Sequence, residues 1–435
     1  MRKSFVCAGL ALAGTTCLHA AYAPDLNSMQ TTKMWSVSGT LRGFYDSNYN
    51  TQPNGPNKLG SAGFAVIPRL DLNVPLQQTE IGLSYIYGLY YYQNREDLGQ
   101  KPIDQTQQVN LWVDHAFTER WQGKVQDNLA VGQEPQLLGN GGTLERANGN
   151  NIHNDGAMTL NTQWTRLLST TLSYENNYYD YQNNGNGVPT AVLAGSPSLA
   201  GLLNRLQNDI SLNLNWRLQP TLVGFVGYKY EQIGYNGGEV IGFNFATPGT
   251  FIMSENRDNQ SQYFYLGGQY TPLDNLNLSG SAGAQYIDYY NAAAGYPSNN
   301  HFQPYVNLSG TYTYLPGSYF QMGFTESQTA TDIVAPSASS YTQSQLSTTV
   351  YAVLNHQFTP RIIGSLNGQI QYGSFYGGTV DGESQTWYGV GVNLAYIFNP
   401  HLSADVGYNY DDVTSVSVQP GYNRNRVYVG VTGTY

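Results

Sequence analysis

The sequence predicts an all-β fold: a transmembrane antiparallel up-and-down β-barrel of about 18 strands, with 16 as the alternative count. Short periplasmic turns and long extracellular loops would join the strands. Three observations lead there. Many segments alternate between apolar and polar residues, short turn-like segments recur at regular intervals, and aromatic residues gather at segment ends.

Composition narrows the classes. The 435 residues include 37 Tyr and 48 Gly, charged residues are only 11%, and the mean hydropathy is -0.38. Beyond the first residues no run approaches the ~18 apolar residues of a spanning helix, which excludes a helical membrane protein. The formal net charge of -10, with no basic arm or patch, disfavours nucleic-acid binding.

The N-terminus has the order of an export signal. Arg2 and Lys3 precede the apolar stretch Phe5 to Leu18, and Ala20, Ala21 and Ala23 supply small residues for cleavage within 20–23. The expected organisation is a signal peptide at 1–23, a short periplasmic segment at 24–34 and a barrel at 35–435. Both cysteines, Cys7 and Cys17, lie in the signal segment. The exported chain would hold no disulfide, thiolate metal site or cysteine nucleophile.

Alternation carries the strand assignments. Over 35–43, Trp35, Val37 and Leu41 oppose Ser36, Ser38, Thr40 and Arg42. Segments 64–74 and 81–91 behave alike. Over 208–216, Ile210, Leu212, Leu214 and Trp216 oppose Asp209, Ser211, Asn213 and Asn215. Over 362–372, Ile362, Leu366, Ile370 and Tyr372 oppose Ser365, Asn367, Gln369 and Gln371. Over 388–398, Tyr388, Val390, Val392, Leu394, Tyr396 and Phe398 oppose Gly389, Gly391, Asn393 and Ala395. Region 122–164 alternates poorly, which keeps 16 strands open. A soluble sandwich also alternates, but its strands are shorter, about 5–6 residues against roughly 10 to 15 here.

Turn chemistry sets the count. Short segments recur at 75–78, 118–120, 165–167, 218–220, 271–274, 315–317, 359–361 and 399–401. Most contain Pro, which pre-sets φ and needs no ladder hydrogen bond. Longer Gly/Asn-rich stretches lie between them. Eight short turns separate nine hairpins, hence eighteen strands with both chain ends on one side.

Aromatic residues mark two levels. Trp35, Trp164, Trp216, Tyr270, Tyr314, Phe358, Phe398 and Tyr435 sit beside short turns or chain ends and form the expected periplasmic girdle. Tyr90 to Tyr92, Tyr178 and Tyr179, Tyr228 and Tyr230, Tyr289 and Tyr290, and Tyr408 and Tyr410 would mark the opposite interface. The final segment sets Val427, Val429, Val431 and Gly433 against Arg426, Tyr428, Gly430, Thr432 and Thr434, then stops on Tyr435. This ending resembles the C-terminal signature of bacterial outer-membrane barrels. It would close the barrel against Trp35–Tyr45.

A family resemblance rests on particular residues. Val37-Ser38-Gly39-Thr40-Leu41-Arg42-Gly43-Phe44-Tyr45-Asp46 resembles the opening strand of the family known as Putative beta-barrel porin 2. Phe64 to Asn73, Ile81 to Tyr92, Asp114-His115-Ala116-Phe117-Thr118 and Asp127 to Pro135 continue the likeness, which is strongest over 35–135. The resemblance implies a bacterial outer-membrane barrel and a porin, and it transfers no catalytic or ligand residue.

Candidate functional residues follow from parity. Arg42, Arg69, Asp71, Glu80, Asp114 and Lys124 would face the lumen in the first strands. Glu175, Asp209, Lys229, Asp405 and Arg426 would do so later. An 18-stranded lumen is wide enough for water, so these charges would tune ion or solute preference, or tie the wall together by ion pairs. Catalysis finds little support. His115, His153, His301, His356 and His401 lack metal-ligand spacing, and Asp114 and His115 point to opposite faces. Gly139-Asn140-Gly141-Gly142 has neither the following helix nor the Lys of a phosphate loop. Neither a cofactor nor an enzymatic activity is expected. The expectation is a porin-like channel for passive diffusion of small hydrophilic solutes. A substrate-binding or exopolysaccharide-export channel, or a structural barrel plugged by its loops, is the alternative. Expected partners are outer-membrane lipid, lipopolysaccharide, the barrel-assembly machinery and, in a homotrimer, two further copies.

Overall fold

A computed structural model describes residues 34–97, 101–132, 150–182, 197–415 and 421–435. The expected signal peptide, nearly all of the 24–34 segment and the Gly139–Gly142 stretch lie outside the described residues. Eighteen antiparallel strands form one sheet. The first seven are β1 (Trp35–Asp46), β2 (Ser61–Pro75), β3 (Thr79–Tyr92), β4 (Ile103–Ala116), β5 (Trp121–Gly132), β6 (Asn151–Gln163) and β7 (Leu168–Tyr181). After helix α1 (Gln93–Asp97) between β3 and β4, a second short helix, α2 (Leu199–Leu203), precedes β8 (Arg205–Gln219) and β9 (Leu222–Tyr235). A loop hairpin, β10 (Val240–Phe243) and β11 (Phe251–Met253), stands apart from the barrel. Then come β12 (Asn259–Leu273), β13 (Leu276–Asp288), β14 (His301–Leu315), β15 (Ser318–Thr329) and β16 (Ser344–Thr359). The series ends with β17 (Ile362–Tyr376), β18 (Ser384–Asn399), β19 (Leu402–Ser415) and β20 (Tyr422–Thr434).

The last strand pairs with the first, from Ser38 opposite Thr434 up to Asp46 opposite Arg426, and the sheet closes on itself. Tyr435 extends the seam by exchanging backbone hydrogen bonds with Val37, at 2.8 and 3.2 Å. Closure leaves no barrel strand with an open edge, the condition for a sheet in hydrocarbon. The strands are strongly tilted. Cross-strand partners followed from Trp35 run through Leu72, Leu83, Leu111, Asp127, Gly156, Asn176, Asn208, Gln232, Gln260 and Asp288. That line begins beside the short turns and ends at a long-loop mouth, which only tilted strands allow.

The short turns repeat one device. Strands β8, β12, β14, β16 and β18 each carry a register shift just before a two-residue turn. Where the turn begins with Thr118, Thr165 or Thr359, that hydroxyl accepts hydrogen bonds from two backbone N–H groups further on, at 3.0–3.2 Å. At Pro316-Gly317, Gly317 takes φ +74°, the second central position of a type II turn.

The outer face is the apolar one. Leu41 and Leu266 are each 65% exposed, and Val431 is 47% exposed. All eight expected periplasmic-girdle aromatics lie at the short-turn end. Seven are strongly exposed; Tyr314 instead tucks its hydroxyl against His356 Nδ1 at 2.8 Å. Trp35 and Tyr435 pack at 5.9 Å across the seam. The upper girdle needs correcting. Tyr290 is exposed, Tyr91 and Tyr178 are half-buried, but their neighbours Tyr92, Tyr179 and Tyr289 are buried beneath loops. Adjacent strand residues point to opposite faces, so a consecutive tyrosine pair cannot serve one girdle. Poor alternation in 122–164 also has a cause. On β5 the inward set is Gln122, Lys124, Gln126 and Asn128, while outward Asp127 accepts a hydrogen bond from Asn154 Nδ2 at 3.0 Å. Polar residues occupy both faces there, yet the strands form, and the count is 18 rather than 16.

The apolar core lies in the loops rather than the lumen. Leu202 and Leu203 of α2, Ile241 of β10, Ile252 of β11, Ala293, Tyr296 and Tyr341 cluster with Tyr179 and Tyr181 at the top of β7. Loops from four hairpins thus share one core. Arg257, with no exposed surface, joins them: it donates to the carbonyl oxygens of Leu202 (3.0 Å) and Thr331 and rests 4.6 Å over the Tyr235 ring. Next to it, burial pushes the Asp258 carboxyl above the usual carboxylate range, opposed by a hydrogen bond donated by the Tyr235 N–H at 2.7 Å.

Three outcomes follow. Val429→Arg places a cation on the lipid face near the middle of β20, where the native side chain is 60% exposed, and should weaken folding into vesicles by about 2–4 kcal/mol, read from urea titrations. Asp46, 1% exposed, accepts Arg424 Nε at 2.9 and 3.0 Å. Asp46→Asn should cost about 3–5 kcal/mol in the same titration, and the double variant Asp46→Leu/Arg424→Leu should recover most of that loss. Arg257→Met strands two loop carbonyls. It should speed proteolysis of the long loops while heat-modifiable gel migration, which reports the closed barrel, stays unchanged.

Candidate pore lining

The inner face is polar, and rings on it lie flat. Trp112 stands opposite Gly82, Phe225 opposite Gly267, Tyr265 opposite Gly227, Tyr351 opposite Gly323 and Tyr428 opposite Gly407. At each of these glycines a Cβ would overlap the partner's ring. The ring occupies the space the glycine leaves, a device that also shields strand glycines elsewhere. The result is a wall of π faces and short polar side chains rather than protruding rings.

All eleven charged candidates sit on this face, in three groups. The first surrounds the seam. Arg42 Nη2 donates to Asp405 Oδ2 at 3.0 Å across the intervening strand β20. Gly430 is the register partner of both, and a Cβ there would come within 2.6 Å of Asp405 Oδ1 and 3.4 Å of Arg42 Nε. Only glycine lets the pair meet over it. Arg42 also lies 4.1 Å over the Tyr428 ring. Arg426 Nη2 donates to Asp411 at 2.7 Å, and Arg424 binds Asp46 above it. This wall is a ladder of internally neutralised Arg–Asp pairs.

The second group lies half-way round the ring. Glu175, Asp209 and Glu231 are consecutive cross-strand partners on β7, β8 and β9. Lys229 Nζ reaches Asp209 at 3.4 Å and Glu231 at 3.1 Å, and lies 4.0 Å from the Tyr263 ring centre. The Tyr263 hydroxyl donates to Glu231 at 3.0 Å. The third group is near the short turns. Arg69 Nε donates to both oxygens of Asp71, at 2.8 and 2.9 Å. Glu80, Asp114 and Lys124 line up across β3, β4 and β5, with no ion pair joining them among the described residues. Asp114 and His115 do point apart, and His115 bonds Thr79 Oγ1 on the outer side at 2.7 Å.

Parity alone did not single out Glu231, Asp411, Asp46 or Arg424 as charge partners. Their signal is same-face, even spacing from charged residues of the same strand: Glu231 is two residues from Lys229, Arg424 two from Arg426, Asp46 four from Arg42 and Asp411 six from Asp405. Among the described residues no group of three or more His, Asp or Glu is placed to hold a metal ion. The arrangement can order water and present fixed charge along a wall.

No curated protein matches the chain. Among solved structures it is similar to OccAB4 of Acinetobacter baumannii, at 11% identity and TM-score 0.44, with 93% of this chain and 99% of that chain covered. It is similar to the outer membrane protein OpdK of Pseudomonas aeruginosa at 12% identity and TM-score 0.44, covering 92% and 99%. It is also similar to the FrpB iron transporter of Neisseria meningitidis at 9% identity and TM-score 0.42, covering 93% and 82%. The fold described above rests on its own strand pairing rather than on these likenesses. The sequence resemblance was strongest near the N-terminus, but the match to a family lies at the other end: residues 306–435, from within β14 to Tyr435, match the family described as Putative beta-barrel porin 2.

Proposed function

We propose that the chain is a non-enzymatic channel of the bacterial outer membrane that lets small hydrophilic solutes diffuse across. One observation carries this reading: a closed ring of 18 strands that is apolar outside and polar inside. A lipid-facing apolar belt needs a bilayer around it, and barrels of about 16–18 strands enclose water. The tyrosine and tryptophan girdle and the C-terminal family match support an outer-membrane location. There the chain would contact lipid and lipopolysaccharide, be inserted by the barrel-assembly machinery, and could assemble as a homotrimer.

A second reading draws on the loop layer. Four long loops packed around Arg257 could roof the mouth and leave a plugged, structural barrel. Reconstitution of the full chain into planar bilayers separates the two. Stepwise ohmic openings are expected of the channel. Silent insertions of correctly folded barrel would reject it and favour the plugged reading.

A further inference from the structure

The two facing walls differ in charge balance. On β7–β9 one ammonium, Lys229, meets three carboxylates, Glu175, Asp209 and Glu231. Lys229 engages Asp209 and Glu231, whereas Glu175 makes neither an ion pair nor a hydrogen bond among the described residues. The side chain of Asp209 is only 9% exposed, and its Oδ1 has no hydrogen-bond partner while Oδ2 faces Lys229. Among the described residues at this level of the wall, Lys229 is the cation beside the three carboxylates; Arg205, four residues up β8, instead lies 3.7 Å over the Tyr179 ring and donates to the Leu203 carbonyl. Carboxylate oxygens therefore outnumber the ammonium here. The rings of Tyr263, Tyr265 and Tyr305 pack beside them, with centroids 5.2 and 5.4 Å apart, and Tyr263 already carries the Lys229 ammonium on its face. A wall of carboxylate and π faces favours positive charge.

The opposite wall supplies no counterweight. There Arg42, Arg426 and Arg424 each have an aspartate, Asp405, Asp411 and Asp46. Arg42 stands as far above Trp35 in its strand as Asp209 stands above Trp216, so the neutral pair and the acidic row share a level of the lumen. A solute at that level meets surplus negative charge on one side and paired charge on the other. Fixed charge lining a pore raises the local concentration of counter-ions and excludes co-ions.

We propose that this barrel passes cations in preference to anions, and that Glu175 and Asp209 on the β7–β9 wall set the preference. The inference rests on the channel reading above. The test is the reversal potential of the full chain in planar bilayers under unequal KCl at about pH 8.5. A cation-to-anion permeability ratio of at least about three is expected, falling with rising salt as the wall charge is screened. Glu175→Gln strands no partner and should lower the ratio about two-fold, with Glu175→Gln/Asp209→Asn bringing it near one. Heat-modifiable migration checks that each variant is folded. Conducting channels with no selectivity or with anion preference would overturn the proposal and leave the channel reading standing. So would a double variant with an unchanged ratio. Absence of conductance would overturn both.

Discussion

A sheet in hydrocarbon has nowhere to leave an unpaired backbone group, and everything else in this molecule depends on that. Each barrel strand has two hydrogen-bonded neighbours because β20 returns to β1. The seam is held from the Tyr435–Val37 exchange at its foot to the hydrogen bond donated by the Ser47 N–H to the Asn425 carbonyl, 2.9 Å, at its top. Once the ring is closed, parity alone decides which side chains meet lipid and which meet the lumen. The Asp46–Arg424 pair sits at the upper end of the same seam. There a buried charge pair fixes register at the place where a slip would open the ring.

Closure also explains where the apolar core went. A soluble sheet must bury its apolar face against another layer. Here the bilayer is that layer, and the lumen is left to polar side chains. The chain still builds a packed apolar cluster, but it builds it from loops, around Ile241, Ile252 and Leu203, with Arg257 tying the loop carbonyls of Leu202 and Thr331 to the barrel top at Tyr235.

How much of this could be read from residues alone depends on how local each signal is. Strands such as 208–216 and 388–398 were plain because their two faces differ sharply in polarity over a period of two. The turns at Pro316, Pro360 and Pro400 were plain because proline is itself the turn signal. At β5 and β6 the signal fails for a physical reason: Asp127 and Asn154 satisfy each other on the outer face, so neither face is purely apolar. The upper tyrosines mislead because consecutive residues alternate between the two faces, while loops with no periodicity cover Tyr92, Tyr179 and Tyr289. Inward parity located Arg42 and Asp405, yet their contact over Gly430 needs three strands in register, one of them nearly the whole chain away. The loop cluster needs contacts among segments as far apart in sequence as Tyr179 and Tyr341, and no local pattern encodes it.

The ring-over-glycine pairs have a consequence for how this barrel changes over time. Trp112 with Gly82, or Tyr265 with Gly227, divides one allotment of volume unequally between two strands. A larger residue on the glycine side is tolerated only after the ring has shrunk, and a smaller ring alone leaves a bare backbone patch facing the lumen. Such positions are sterically constrained as couples. The bore can therefore shift its polarity pair by pair, exchanging which strand carries the ring, while its width and the closure of the wall are inherited intact.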